Sequence, residues 1–352
     1  MSIQKNQAVF MTAVQELQIR DCEMPVLSPD EVLLEMEYVG VCGSDVHFFE
    51  SGMRKGKEIP LPFILGHEGS GVVVAAGKDV KKLSVGDSVA IEPQQTCGTC
   101  YYCKSGHYNM CPDVKFPSVP PYNGMLRKYF KFPAHLCFKL PDNVSLLEGS
   151  LIEPFAVGLS AAERGEVHIG QTVVILGMGA IGLTTLFACK AMGVPEIIAI
   201  DLFQNRLDCA KEFGATHIIN TSETDAIAEV GRLTRNIYAD VVFETAGSPK
   251  TAAMTEKLLK RCGIIVMVGN VNGQTPYEFM DLMYKEGEIR TIYRYKNNFD
   301  KALSLVSSNS VDLKKMVTEI YPFGKAQKAF ERSISDKQNV VKIVIDIKNN
   351  GI

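Results

Sequence analysis

The sequence predicts a two-domain α/β protein, with a doubly wound parallel sheet in its middle and a β-rich domain elsewhere. Three observations predict it. At 352 residues the chain is too long for one ordinary core. From about Gly170, short β-branched runs alternate with helix-like stretches, the texture of a parallel sheet. The first 150 residues read instead as short strands broken by turns.

In chain order, the first strands expected are Glu31 to Val39, an apolar run interrupted by acidic residues, and Gly69 to Ala76, ending at Gly77. Pro93 to Pro121 is dense in Cys, Gly and Pro, without periodicity, and so long a coil needs something to hold it. Thr172 to Leu176 is a β-branched strand, followed by a glycine turn and a helix through Met192. Further strands are expected at Glu196 to Asp201, His217 to Asn220, Ala239 to Glu244, Gly263 to Gly269 and Arg290 to Tyr295. Phe299 to Ile352 starts with a helix and ends in the strand Val340 to Ile347, which is expected to pack back on the N-terminal region. The domains are therefore drawn as residues 1–155 with 296–352, carrying a lobe at 93–121, and residues 156–295.

Composition narrows the function classes. Hydrophobic residues make up 46% and charged residues 22%, which excludes wholesale disorder. A net charge of -3 gives no long-range attraction to nucleic acid or to an anionic membrane surface. Ile169 to Cys189 is long and apolar enough to raise a membrane span, but its glycine pattern favours a buried strand-turn-helix. Met1 to Gln18 has no long apolar region and does not read as a secretory signal, so a cytoplasmic protein is expected. Ten cysteines are too few for a disulfide scaffold in a chain of this length. Four of them crowd between Cys97 and Cys111, which in a reducing compartment points to metal.

A lone G-x-G-x-x-G is weak evidence. Here Gly177-x-Gly179-x-x-Gly182 has a strand before it, a helix after it, and Asp201 at the end of the next strand. Gly177 allows the tight turn, Gly179 lets a pyrophosphate approach the backbone, and Gly182 lets helix and strand pack closely. Asp201 suits the adenosine ribose hydroxyls and would repel a 2′-phosphate, favouring NAD over NADP. Arg206 lies just beyond, and either weakens that preference or flanks the adenine. Val268, Gly269 and Asn270 end a later strand on the same sheet edge, where a nicotinamide would lie.

Cys97, Cys100, Cys103 and Cys111 put four thiolates in one loop, with turns at Gly98 and Gly106. Four thiolates close a tetrahedral zinc site and leave no position for substrate, so this zinc would be structural. A second set is dispersed: Cys42, His67 with Glu68, and Glu153. Taken singly, each has a plainer reading as a buried thiol, a core histidine or a surface carboxylate. His107, His135, His168 and His217 stand without partner ligands in the sequence and read as surface or core histidines.

With these residues in hand, the chain resembles the zinc-containing medium-chain dehydrogenase/reductase family over its full length. The Gly66-His67-Glu68 motif with Gly71 and Gly77, the four-cysteine lobe and the central glycine turn occur in that family's order. Cys42-Gly43-Ser44-Asp45-Val46-His47, Leu151 to Gly158 and Tyr293-Arg294-Tyr295 look most like its sorbitol dehydrogenase branch, in particular the bacterial polyol enzymes. The resemblance implies a GroES-like β-rich catalytic domain and a Rossmann coenzyme domain. It implies a catalytic zinc on Cys42, His67 and Glu68, with Glu153 bound directly or through the metal's water. It implies that Ile181, Asp201, Arg206, Tyr293 and Arg294 contact NAD, and that Arg294 and Tyr295 line the substrate site. Phe48 stands where animal sorbitol dehydrogenases carry a tyrosine, removing one hydroxyl from the expected pocket wall.

The implied reaction is oxidation of a polyol's secondary alcohol to a ketose with NAD, using one catalytic and one structural zinc per chain. Ser44 suits relay of the released proton towards the ribose and His47, whose alternative is a structural hydrogen bond. Phosphorylated-polyol (galactitol-1-phosphate type) and threonine-type dehydrogenases are the alternatives, with Arg54, Lys55 and Lys57 as candidate phosphate groups. A cofactor-binding relative without turnover is disfavoured by the intact ligand set. Relatives imply a homo-oligomer, dimer or tetramer, with the late strands Gly263 to Tyr295 as the interface.

Overall fold

The computed structural model describes residues 5–54 and 56–351; Lys55, one of the three candidate phosphate-binding residues, lies outside them. The chain divides into two compact units, residues 1–153 with 299–352, and residues 154–298.

The first unit is built mostly on antiparallel pairing, with Val317–Pro322 parallel to Lys342–Asp346. Its larger sheet runs Cys137–Lys139, Ser88–Ile91, Glu68–Ala76, Glu31–Gly40, Lys342–Asp346 and Val317–Pro322, with Tyr129–Pro133 also paired to Glu31–Gly40. The strand Glu31–Gly40 alternates half-buried and buried positions, so Val32, Leu34 and Met36 enter the core while Glu31, Leu33 and Glu35 lie on the other face. Its register places Gly40 opposite Glu68, at the start of the strand Glu68–Ala76. The C-terminal strand Lys342–Asp346 pairs antiparallel with the same strand, Val344 opposite Gly40. Three distant stretches of sequence thus meet beside Glu68. The core beneath them holds Val9, Met36, Phe49, Leu65, Phe330 and Ile345, among others.

The second unit is a six-stranded, all-parallel sheet. Its order is His217–Asn220, Glu196–Asp201, Thr172–Leu176, Ala239–Glu244, Leu259–Met267 and Glu288–Thr291, so the chain turns outward in both directions from Thr172–Leu176. That reversal is the switch point where open α/β sheets bind ligands, outside the carboxyl ends of the strands. Strands buried on both faces explain the near-continuous apolar runs Val173 to Leu176 and Ile197 to Ile200. The apolar stretch from Ile169 is therefore a strand, a turn and the helix Ala180–Ala191. Among the described residues no helix is long and apolar enough to cross a membrane.

Two expected boundaries are corrected. The strand expected at Gly263 to Gly269 runs Leu259–Met267. The last parallel strand ends at Thr291, not Tyr295. Arg294 has φ of 59°, in the left-handed region, which no strand residue adopts. Tyr295 is fully buried, whereas Tyr293 is half exposed.

Candidate active site

Cys42 precedes the helix Gly43–Ser51 and adopts extended backbone, while His67 and Glu68 lead into the strand Glu68–Ala76. The fold brings one sulfur, one imidazole nitrogen and one carboxylate oxygen from these three residues within 4.8 Å of one another. Zinc bonds of about 2.0–2.3 Å need ligand atoms only slightly closer than that, so this donor set fits zinc and leaves room for a further oxygen.

The imidazole is held from several sides. His67 Nδ1 lies 3.2 Å from Asp45 Oδ2, and both side chains are buried. Ser118, fully buried, donates to Asp45 Oδ1 at 2.5 Å. The Phe116 ring packs tilted against the imidazole at 5.3 Å between centroids. Burial works against a charged imidazole, but the carboxylate of Asp45 and the thiolate of Cys42 outweigh it together, and His67 is held well above its ordinary pKa. Ser44 donates to Cys42 Sγ at 3.4 Å.

Sequence reasoning missed Ser118 at this site, and also Lys342. Its side chain is buried, its ammonium donates to Glu68 Oε2, and it also reaches the Val41 carbonyl at 3.1 Å. Burial opposes that charge, but Glu68, Cys42 and Glu153 together hold the Lys342 pKa above its ordinary value. Glu153 is itself buried, in the helix Leu146–Arg164 just before Pro154. The plain reading of Glu153 as a surface carboxylate is thereby excluded. Phe48, expected at a pocket wall, is buried among the apolar side chains of the core. His47 is exposed at the helix surface.

The four cysteines converge as their spacing required. Sγ separations are 3.5 Å for Cys100–Cys103, 3.6 Å for Cys97–Cys111 and 3.9 Å for Cys97–Cys103. A tetrahedron with zinc–sulfur bonds of about 2.3 Å has edges of about 3.8 Å. Backbone N–H groups of Cys97, Cys100 and Cys103 point at the sulfurs of Cys111, Cys97 and Cys100. Backbone N–H groups of Thr99 and Cys100 lower the Cys97 thiol to about 6, in the direction that favours metal binding.

In the second unit the glycine turn has the expected form. Gly177 has φ of 96°, and a Cβ there would stand 2.8 Å from the Ala246 backbone. A Cβ on Gly182 would overlap the Gly177 carbonyl at 1.8 Å, so helix and turn touch backbone to backbone. Gly179 caps the helix Ala180–Ala191 without any side-chain bond to its first N–H groups, which leaves those donors for an anion. Ile181 lies half-buried in that first turn.

Asp201 does more than the motif requires. Oδ1 accepts from the N–H of Leu202 and Phe203 at 2.7 and 2.9 Å, and Oδ2 accepts from Met178 at 2.6 Å. It therefore fixes the glycine turn, and these three bonds leave one lone pair on Oδ2 unused. The guanidinium of Arg206 reaches within 3.7 Å of where a Cβ of residue 179 would stand, and lies over the Phe203 ring. Along the sheet edge, the N–H groups of Val268 and Gly269 both donate to the Glu244 carbonyl at 2.9 Å, ahead of the exposed Asn270. Arg294 stacks over the Tyr293 ring at 4.7 Å.

Comparison with known proteins agrees with this arrangement. Residues 28–142 match the alcohol dehydrogenase GroES-like domain, and residues 180–308 match the zinc-binding dehydrogenase domain. The zinc-type alcohol dehydrogenase-like protein YdjJ of Escherichia coli K12 is 44% identical over 98% of this chain and 100% of its own. The sorbitol dehydrogenase of Bacillus subtilis is 39% identical, over 97% of each chain. The crystal structure of ECK1772, an Escherichia coli oxidoreductase/dehydrogenase of unknown specificity, superposes with a TM-score of 0.93 at 43% identity, over 98% of this chain and 99% of that one. With two matching domains and whole-length relatives, the chain belongs to the zinc-containing medium-chain alcohol dehydrogenase family, is an oxidoreductase, and stands close to the sorbitol dehydrogenases.

Proposed function

We propose that this protein is an NAD-linked, zinc-dependent polyol dehydrogenase that oxidises a secondary alcohol of a free polyol, of the sorbitol or xylitol type, to a ketose. The observation that carries the reading is the set Cys42, His67 and Glu68, whose ligand atoms lie within 4.8 Å of one another, together with the buried carboxylate of Glu153. Whole-length likeness to a sorbitol dehydrogenase supports the substrate class.

When bound, zinc supplies Lewis-acid polarisation of the substrate oxygen, and the nicotinamide accepts the hydride. The protein's residues do the rest. Cys42, His67 and Glu68 hold the metal, and Asp45 fixes the face that His67 presents. Lys342 balances the negative charge of Glu68, Cys42 and Glu153. Glu153, bound directly or through water, and Arg294 and Tyr295 are the proposed substrate contacts. Ser44 and His47 are the proposed proton path, and Ser44 already donates a hydrogen bond beside the metal position. Phe48 shapes the pocket only through its packing in the core. Gly177, Gly179, Ile181, Gly182, Asp201, Arg206, Val268, Gly269, Asn270, Tyr293 and Arg294 take the coenzyme. Cys97, Cys100, Cys103 and Cys111 hold the second, structural zinc.

NAD is favoured because the remaining Asp201 lone pair faces hydroxyls better than a phosphate. A homo-oligomer, dimer or tetramer, accords with the edge strand Glu288–Thr291, which pairs on one side alone among the described residues. Beside that strand Phe279, Met280, Met283 and Tyr284 are exposed. Ten free thiols suit a reducing cytoplasm.

The test is NAD reduction across sorbitol, xylitol, galactitol, their phosphates and threonine, with and without chelator. Turnover of a free polyol that chelator abolishes is the expected result. Activity confined to phosphates would move the reading to a phosphorylated substrate, with Arg54 and Lys57 on the hairpin Met53–Arg54 and Lys57–Glu58 as its anchors.

A further inference from the structure

The loop that leaves the four-cysteine lobe returns to the imidazole of His67. The lobe is closed at its neck by reciprocal backbone bonds between Gln95 and Lys115, at 2.8 and 3.1 Å. Phe116 follows immediately and packs on the His67 ring, and Ser118 follows two residues later. Ser118 is fully buried with φ of 68°, a left-handed conformation that is uncommon for a residue other than glycine. Its hydroxyl donates to Asp45 Oδ1 at 2.5 Å and accepts from the Gly66 N–H at 3.0 Å. It therefore grips both the carboxylate facing His67 and the backbone immediately before His67. Farther along, the N–H groups of Met125 and Leu126 bond the carbonyls of Gly66 and Leu65 at 2.8 and 3.1 Å, so the whole return segment lies against residues 65–67.

We propose that Ser118 is a positioning residue for the catalytic metal, fixing His67 through Asp45 and Gly66 and tying the ligand's orientation to the lobe of residues 93–121. The inference rests on the reading of Cys42, His67 and Glu68 as a metal site. A buried hydroxyl that both donates and accepts is satisfied only in this arrangement, so it resists any swing of the Asp45 carboxylate. Partners that orient a metal-bound imidazole contribute about 10- to 100-fold to metal affinity, which sets the size of the effect.

The experiment measures zinc release from the fully loaded protein into a chromogenic chelator, in the wild type, Ser118→Gly, Ser118→Ala, Asp45→Asn and the double variant Asp45→Asn/Ser118→Gly. The wild type is expected to release two classes of zinc. Ser118→Gly is expected to speed release of one class about 10- to 100-fold, leaving the four-cysteine class unchanged. Glycine removes the hydroxyl while relieving the positive φ, so a role confined to backbone shape predicts unchanged or slower release, and that result would overturn the proposal. Ser118→Ala should match Ser118→Gly in release rate, even if its melting temperature is lower. The double variant should release more slowly than the product of the two single effects predicts, because part of the Ser118 effect passes through Asp45 and only the Gly66 bond is lost independently; fully multiplicative effects would contradict the Asp45 route. A wild type that binds only the four-cysteine zinc would sink the metal-site reading, and the inference with it. Two zinc classes with no effect of Ser118→Gly would sink the inference alone.

Discussion

The ammonium of Lys342 and the carboxylate of Glu68 form a buried ion pair, with each side chain only 2% exposed. The two residues lie 274 positions apart in sequence and meet because their strands flank Glu31–Gly40 on opposite sides. In the metal-free protein this ammonium is a cation facing Glu68, Cys42 and Glu153. Removing it by Lys342→Met leaves buried carboxylates unpaired, a change that costs about 3–5 kcal/mol in comparable cases. The metal-free variant should therefore lose most of that amount in urea unfolding. The zinc-loaded variant should lose clearly less, because the bound metal then faces the same anions.

Glu92 contributes a pH dependence to folding. It is buried, accepts from the Tyr108 hydroxyl at 2.9 Å, and burial pushes it up to about 7. The folded state thus keeps a proton that an unfolded chain releases near pH 4.5. Between these values unfolding releases that proton, so the Glu92 contribution makes stability fall as pH rises to about 7 and level off above it. The full effect is at most about 3 kcal/mol. Glu92→Gln should flatten this slope when urea midpoints are compared at pH 5 and pH 7.5.

The lobe of residues 93–121 has little regular structure, only the helix Tyr101–Lys104 and the turn Tyr108–Met110. Its order rests on the four sulfurs. Cys103→Ser should reduce bound zinc by one ion per chain and open the lobe to limited proteolysis, with cleavage confined to this segment at first.

Asp201→Ser should lower the preference for NAD over NADP by about tenfold, or about 1.4 kcal/mol, read from the ratio of kcat/KM values. Binding of NADH should weaken as well, since Met178 loses the acceptor that fixes the glycine turn.

Much of this was legible from local pattern. The strands Thr172–Leu176, Glu196–Asp201 and Ala239–Glu244 stand where their apolar, β-branched runs put them, because strands buried on both faces advertise themselves, and the half-buried edge strand His217–Asn220 stands where it was expected too. The cysteine cluster was legible because its ligands are neighbours in sequence. Lys342 was not: a lysine opening a terminal strand looks like any solvated lysine, and only the sheet order shows that it is buried. Ser118 was hidden for the same reason, since its partners Asp45 and Gly66 are distant in sequence. The end of the strand at Thr291 was misplaced because Tyr293 and Tyr295 have strand-like propensity, while the left-handed turn at Arg294 has no marker such as glycine.

The central claim is that metal-dependent alcohol oxidation is centred on His67, within the set Cys42, His67 and Glu68. The most direct measurement is sorbitol-dependent NADH formation by zinc-loaded His67→Ala, with NADH binding followed separately by fluorescence. The account predicts a loss of turnover of about a thousandfold, about 4 kcal/mol of barrier, with coenzyme binding changed less than about threefold. Turnover within about tenfold of the wild type would contradict it.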